Sequence, residues 1–140
     1  MADNMTREVR SKVMSNIRSV SRLEDKIAQK LWRSGLRFRR NVKSLLGKPD
    51  IAIKKHKIAI FVDSCFWHSC PEHRVMPKSN VDFWEKKFQT NKRRDEKVNE
   101  YYLSMGWHLL RIWDHEFKSD FDAAVEKIHN FITRHMMDRQ

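Results

Sequence analysis

Residues that could do chemistry crowd into one stretch, Phe61-Val62-Asp63-Ser64-Cys65-Phe66-Trp67-His68-Ser69-Cys70-Pro71-Glu72-His73. Both cysteines of the chain lie in it, with two of its seven histidines and one of its five tryptophans. Cys65, Cys70 and His73 offer three soft or borderline donors around a turn at Pro71, which suits a structural Zn²⁺. The competing reading is two buried thiols and surface histidines. Phe66 and Trp67 are adjacent rings in a segment that reads as a loop, where a purely internal role is awkward.

The elements around this stretch act as its frame. Ser21-Arg22-Leu23-Glu24 reads as a capping box, and Leu23, Ile27, Ala28 and Leu31 line one face of the helix that follows. Gly35 stops that helix. Leu36 to Arg40 alternates apolar and basic, as in a half-exposed strand. Pro49 has no amide proton and can open a strand but not sit inside a ladder. Asp50-Ile51-Ala52-Ile53 and Ile58-Ala59-Ile60-Phe61-Val62 read as two strands joined by a polar turn, Lys54 to Lys57. Such a hairpin brings Asp50, at its open end, near Asp63. Residues 81–104 read as a long polar helix ending at Gly106, with Asn91 and Asp95 one turn apart on one side. Trp107 to Trp113 reads as a mostly apolar strand interrupted by Arg111. Residues 119–135 form an amphipathic helix through Phe121, Ala124, Val125, Ile128, Phe131 and Ile132.

Composition narrows the partner. The chain has 140 residues, room for one core and a single domain over 1–140. Its formal net charge is +11, from 29 basic against 18 acidic side chains, which predicts a polyanion such as nucleic acid. Residues 1–20 carry Arg7, Arg10, Lys12 and Arg18 and read as a mobile basic arm for a phosphate backbone. No apolar run approaches the roughly 20 residues of a membrane span, and Met-Ala-Asp-Asn-Met-Thr-Arg lacks the apolar segment of a secretory signal. A reducing, cytoplasmic location without membrane contact is expected. There, two thiols separated by four residues suggest a metal more than a disulfide.

A Pro-Asp before one strand, followed by a second strand ending in polar residues, is the skeleton of PD-(D/E)xK nuclease sites, although Pro-Asp is also an ordinary turn pair. The sequence Cys65-Phe66-Trp67-His68-Ser69-Cys70-Pro71-Glu72-His73, with Phe61-Val62-Asp63 before it, closely resembles the very short patch repair (Vsr) DNA mismatch endonuclease family. So do Lys48-Pro49-Asp50, Phe83-Trp84, Asn91 with Asp95, and Gly106-Trp107 with Ile112-Trp113. The resemblance runs in order from about residue 6 to about residue 115. It implies an α/β fold with a restriction-endonuclease-like core, a small mixed sheet flanked by helices and a structural zinc site. The implied activity is Mg²⁺-dependent nicking of one DNA strand beside a T·G mismatch, the lesion left when 5-methylcytosine deaminates.

The resemblance also implies roles. Asp50 and the Val62 carbonyl would hold Mg²⁺. His68 would activate water, oriented by Asp95. Glu24 matches a carboxylate linked to metal-bound water, beside its reading as a helix cap. Asp63 stands where the best-known relative has a histidine, and is expected to support the metal directly or through water. Ser64 replaces a usual glycine. His115 would complete a Cys2His2 zinc set with Cys65, Cys70 and His73. Phe66, Trp67 and Trp84 would wedge into DNA beside the mismatch, with Asn91 a further DNA contact. Trp84 has a second reading, on the packed side of a helix with Phe88 and Tyr102, and Asp95 a second, a local ion pair. A monomer acting on mismatched double-stranded DNA is expected, with mismatch-repair proteins as further partners. Two other functions remain open: a sequence-specific nuclease on matched duplex, and an inactive zinc-containing DNA-binding module.

Overall fold

The computed structural model describes residues 22–64 and 80–137. The N-terminal arm, the Ser21 cap, and Cys65, Phe66, Trp67, His68, Cys70 and His73 lie outside the described residues. Helix α1 spans residues 22–33. Strands β1 (Arg39–Arg40), β2 (Ile51–Ile53) and β3 (Ile58–Asp63) follow, then α2 (Val81–Ser104), β4 (His108–Trp113), α3 (Asp114–Ser119) and α4 (Phe121–Met137). The sheet is mixed, in the order β1-β2-β3-β4.

The expected hairpin is present, with Ile51 opposite Ile60 and Ile53 opposite Ile58. A single 3-10 turn, Lys54–His56, reverses the chain. Lys57 closes it at φ 54°, its N–H bonded to the Lys54 carbonyl. All six residues of β3 are buried, because helices cover both faces of this central strand. Alternate residues sort to opposite sides. Ile58, Ile60, Val62 and Ile112 pack with Ile27 and Leu31 of α1 and with Val125, Ile128 and Ile132 of α4. Ala59 and Phe61 pack with Val98 and Tyr102 of α2. The result is three layers, α1 and α4, the sheet, and α2.

Helix α2 links β3 to β4, which run parallel, so Asp63 and Trp113 end level with one another. Its bounds are those the sequence predicts, with Gly106 at φ 75° beyond its end. Gly47 is required by a close approach: a Cβ there would sit 2.9 Å from Val98 Cγ1. The Tyr102 hydroxyl donates to the Leu46 carbonyl, tying the same turn to α2.

Three elements differ from the sequence reading. The strand expected over Leu36 to Arg40 is only Arg39–Arg40, because a left-handed Asn41 ends it and its ladder partners are just Ile51 and Ala52. Strand β4 begins at His108 rather than Trp107. The helix expected over 119–135 is α4, Phe121–Met137, and a short α3, Asp114–Ser119, that the sequence reading did not include precedes it. Glu116 accepts the Trp113 N–H at the start of α3 (3.0 Å), and Asp120 accepts the Ala123 N–H to open α4 (3.1 Å).

Candidate active site

A cleft of about 420 Å³ opens where β2 and β3 end beside α2. Asp50, Val62, Asp63, Asn91, Asp95 and Arg111 line it, with Lys48, Lys87 and Arg94. The hairpin thus brings Asp50 and Asp63 to one cavity, as the sequence predicts. Asn91 and Asp95 reach it from one face of α2.

Asp50 is fixed by the end of a ladder. The register Ile51 to Ile60, extended two residues, sets Pro49 opposite Val62. Pro49 has no N–H, so the ladder offers the Val62 carbonyl no donor there. The Val62 N–H instead donates to Asp50 Oδ2 at 2.7 Å. A strand residue carries its N–H and C=O on the same edge. The Val62 carbonyl therefore shares the Asp50 side of the strand, a carboxylate and a carbonyl together, as a hard divalent cation requires.

Glu24 joins them from α1. Burial raises its pKa to about 9, helped by a side-chain hydrogen bond with Asp50 and by the Asp50 charge; Arg40 pulls it the other way. Two carboxyls in contact cannot both ionise cheaply, so one proton is held between them. A cation would take the place of that proton. Between its two readings, cap and metal-side carboxylate, Glu24 has the contact that the second requires.

Asp63 has a different environment. It is 6% exposed, and Arg111 Nη1 donates to both its oxygens, at 2.9 Å and 3.1 Å. Arg111 Nε donates to Asn99 Oδ1 at 2.5 Å, and the guanidinium lies 4.3 Å over the Phe61 ring. Asp95 stands 3.7 Å from the same Nη1. Beside the expected support of a metal, directly or through water, Asp63 has a guanidinium as its partner. Asp95 thus pairs with a cation of β4 rather than a local one, and it lines the cleft.

Trp84 is packed, at 2% exposure, against Phe83 (ring centroids 5.4 Å apart) and Phe88 (5.8 Å). These are the contacts of its second reading, on the packed side of α2. Phe83, 40% exposed, is the ring that this turn offers to solvent. His115 lies in the first turn of α3, its ring stacked at 6.4 Å from that of Trp113. Because Asp63 and Trp113 end level, His115 belongs to the same sheet edge from which the chain runs on to Cys65. Among the described residues no group of three or more His, Cys, Asp or Glu side chains could hold a metal. The Asp50 cluster offers two carboxyls and a backbone carbonyl.

Sequence reasoning passed over Arg111 and Asn99. The available signal was a guanidinium in an otherwise apolar strand, a charge that must have a partner once the strand is buried.

The Asp50 and Asp63 carboxyls, the Val62 strand edge and a basic rim share one cleft, a setting that suits a phosphate polyanion. The model of the family described as "DNA mismatch endonuclease Vsr" matches residues 2–74. A type II nicking enzyme of Haemophilus parainfluenzae, V.HpaIIP, is 43% identical over 115 residues, 79% of this chain and 82% of that one. V.NaeI, a type II nicking enzyme of Lentzea aerocolonigenes, is 39% identical over 118 residues, 81% of this chain and 71% of its own. The DNA mismatch endonuclease Vsr of Escherichia coli is 33% identical over 117 residues, 81% and 74% of the two chains. This chain belongs to the Vsr endonuclease family and is a DNA endonuclease. No helix among the described residues is long and apolar enough to cross a membrane.

Proposed function

We propose that this endonuclease nicks one strand of duplex DNA beside a T·G mismatch, by Mg²⁺-dependent hydrolysis of a phosphodiester. The observation that carries the metal-dependent step is the Asp50 carboxylate, bonded to the Val62 N–H at 2.7 Å beside the Glu24 carboxyl. The donor set fits Mg²⁺: Asp50 and the Val62 carbonyl would hold the ion, and Glu24 would reach it through water. Bound there, it neutralises charge developing on the phosphate. His68 takes the proton of the attacking water, and Asp95 orients the imidazole. The water oxygen bonds to phosphorus as the bond to the leaving oxygen breaks.

Cys65, Cys70, His73 and His115 would hold a structural Zn²⁺ that pins the segment carrying Phe66, Trp67 and His68. Phe66 and Trp67 then act as wedges at the mismatch, where unstacking costs least. Asn91 contacts DNA from the cleft wall, and the basic arm follows the backbone, consistent with a net charge of +11. The enzyme works as a cytoplasmic monomer, with mismatch-repair proteins as its further partners.

A second reading has a specific support. Relatives are named type II nicking enzymes, V.HpaIIP and V.NaeI among them, and a nicking activity directed by sequence on matched duplex uses the same cleft. A panel of T·G and matched duplexes, with Mg²⁺ or with EDTA, separates the two. Mg²⁺-dependent nicking confined to T·G duplexes is the expected result. Equal cutting of matched DNA would replace the mismatch reading.

A further inference from the structure

We propose that Arg111 is a phosphate-binding cation of the catalytic cleft, held in place by Asp63, Asn99 and the Phe61 ring. The inference rests on the chain being a DNA endonuclease and does not depend on which duplex it cuts.

Arg111 lies on β4 directly opposite Phe61 of β3, and Asp63 is two residues further along β3 on the same face. The guanidinium therefore meets a ring and a carboxylate on one neighbouring strand, and Asn99 from α2 closes the third side. These contacts use Nε and Nη1. An arginine has five N–H donors, and the two of Nη2 remain for a ligand. Arg111 also lines the cleft that Asp50 and the Val62 edge share, with a side chain 18% exposed.

An ion pair kept for stability alone is poorly placed here. Desolvating two charges costs much of what their attraction returns, and apolar residues of similar size do as well or better. A braced guanidinium at a cleft wall is what a phosphate needs: planar, charged at any working pH, and already fixed in direction. Asp63 then serves chiefly as the brace.

The test measures affinity in EDTA for a duplex that the wild-type chain nicks and for the same duplex with an uncharged methylphosphonate at the scissile position. Arg111→Gln removes the cation bonded to the buried Asp63, so Arg111→Gln with Asp63→Asn is measured beside it, each checked for native near-UV circular dichroism. The ratio of the two affinities is expected to fall roughly tenfold in the paired variant relative to wild type, the size of a lost charged hydrogen bond. Asp63→Asn alone, which keeps the arginine, should hold most of the ratio. A ratio unchanged in the paired variant would overturn the proposal, whatever happens to nicking. Because the readout needs no metal and no cutting, failure of the mismatch reading and failure of this one are distinguishable.

Discussion

Two ends of the same sheet edge hold carboxylates in opposite ways. At the β2 end, Asp50 and Glu24 lie against one another, and one of them keeps a proton. At the β4 end, Asp63 is bonded to Arg111, and Asp95 stands near the same guanidinium. The second pair of carboxylates is balanced by the fold itself. The first has Arg40 nearby, and Glu24 still keeps its proton. The difference indicates where this enzyme depends on its medium: cation and pH should act through Asp50 and Glu24, while the Arg111 cluster should behave as fixed structure.

The largest test of the contrast is Asp50→Ala. Nicking should be abolished, with folding intact and the melting temperature in EDTA no lower than wild type, because the substitution removes one of two crowded carboxyls. A clean preparation that still cuts would refute the role of Asp50. Next, the β4 end should respond to loss of one partner and tolerate loss of both. Arg111→Met alone should cost roughly 3–5 kcal/mol by denaturant unfolding, because it takes from the buried Asp63 the cation bonded to both its oxygens. Adding Asp63→Asn should recover much of that loss. Equal destabilisation of the single and double variants would show that the pair is not the unit.

The smallest effect is in pH. Glu24 holds its proton to about pH 9 when folded, against an ordinary value of 4.5. The folded state thus binds a proton that the unfolded chain releases across that window. Stability from this group is fully present below about pH 4.5 and falls as pH rises toward 9. Melting in EDTA should drop between pH 5 and pH 9 more for wild type than for Glu24→Gln. Identical curves would place the carboxyl outside the pair.

Much of this contrast was legible in the sequence, and the missing part has a physical reason. The hairpin follows from two apolar runs around a polar turn, and with it the meeting of Asp50 and Asp63. Pro49 marks where the ladder must stop, which is why the Val62 edge is available. Arg111 was not legible as a partner of Asp63. That contact depends on the register of a parallel pair joined through a 24-residue helix, and no local pattern encodes it. Trp84 was ambiguous because a ring on a polar helix fits either face until the sheet beneath it is known. The helix α3 was hidden because Asp114–Ser119 is too short to show a period, whereas the period of α4 was plain.

The most direct test of the central claim is Mg²⁺ affinity, measured by calorimetry on the full chain. Asp50→Asn and Glu24→Gln should weaken Mg²⁺ binding roughly tenfold or more, the loss expected when a ligand or its supporting carboxylate is removed, while Asp63→Asn leaves it within about threefold of wild type. Weakening by Asp63→Asn equal to that by Asp50→Asn would contradict the account.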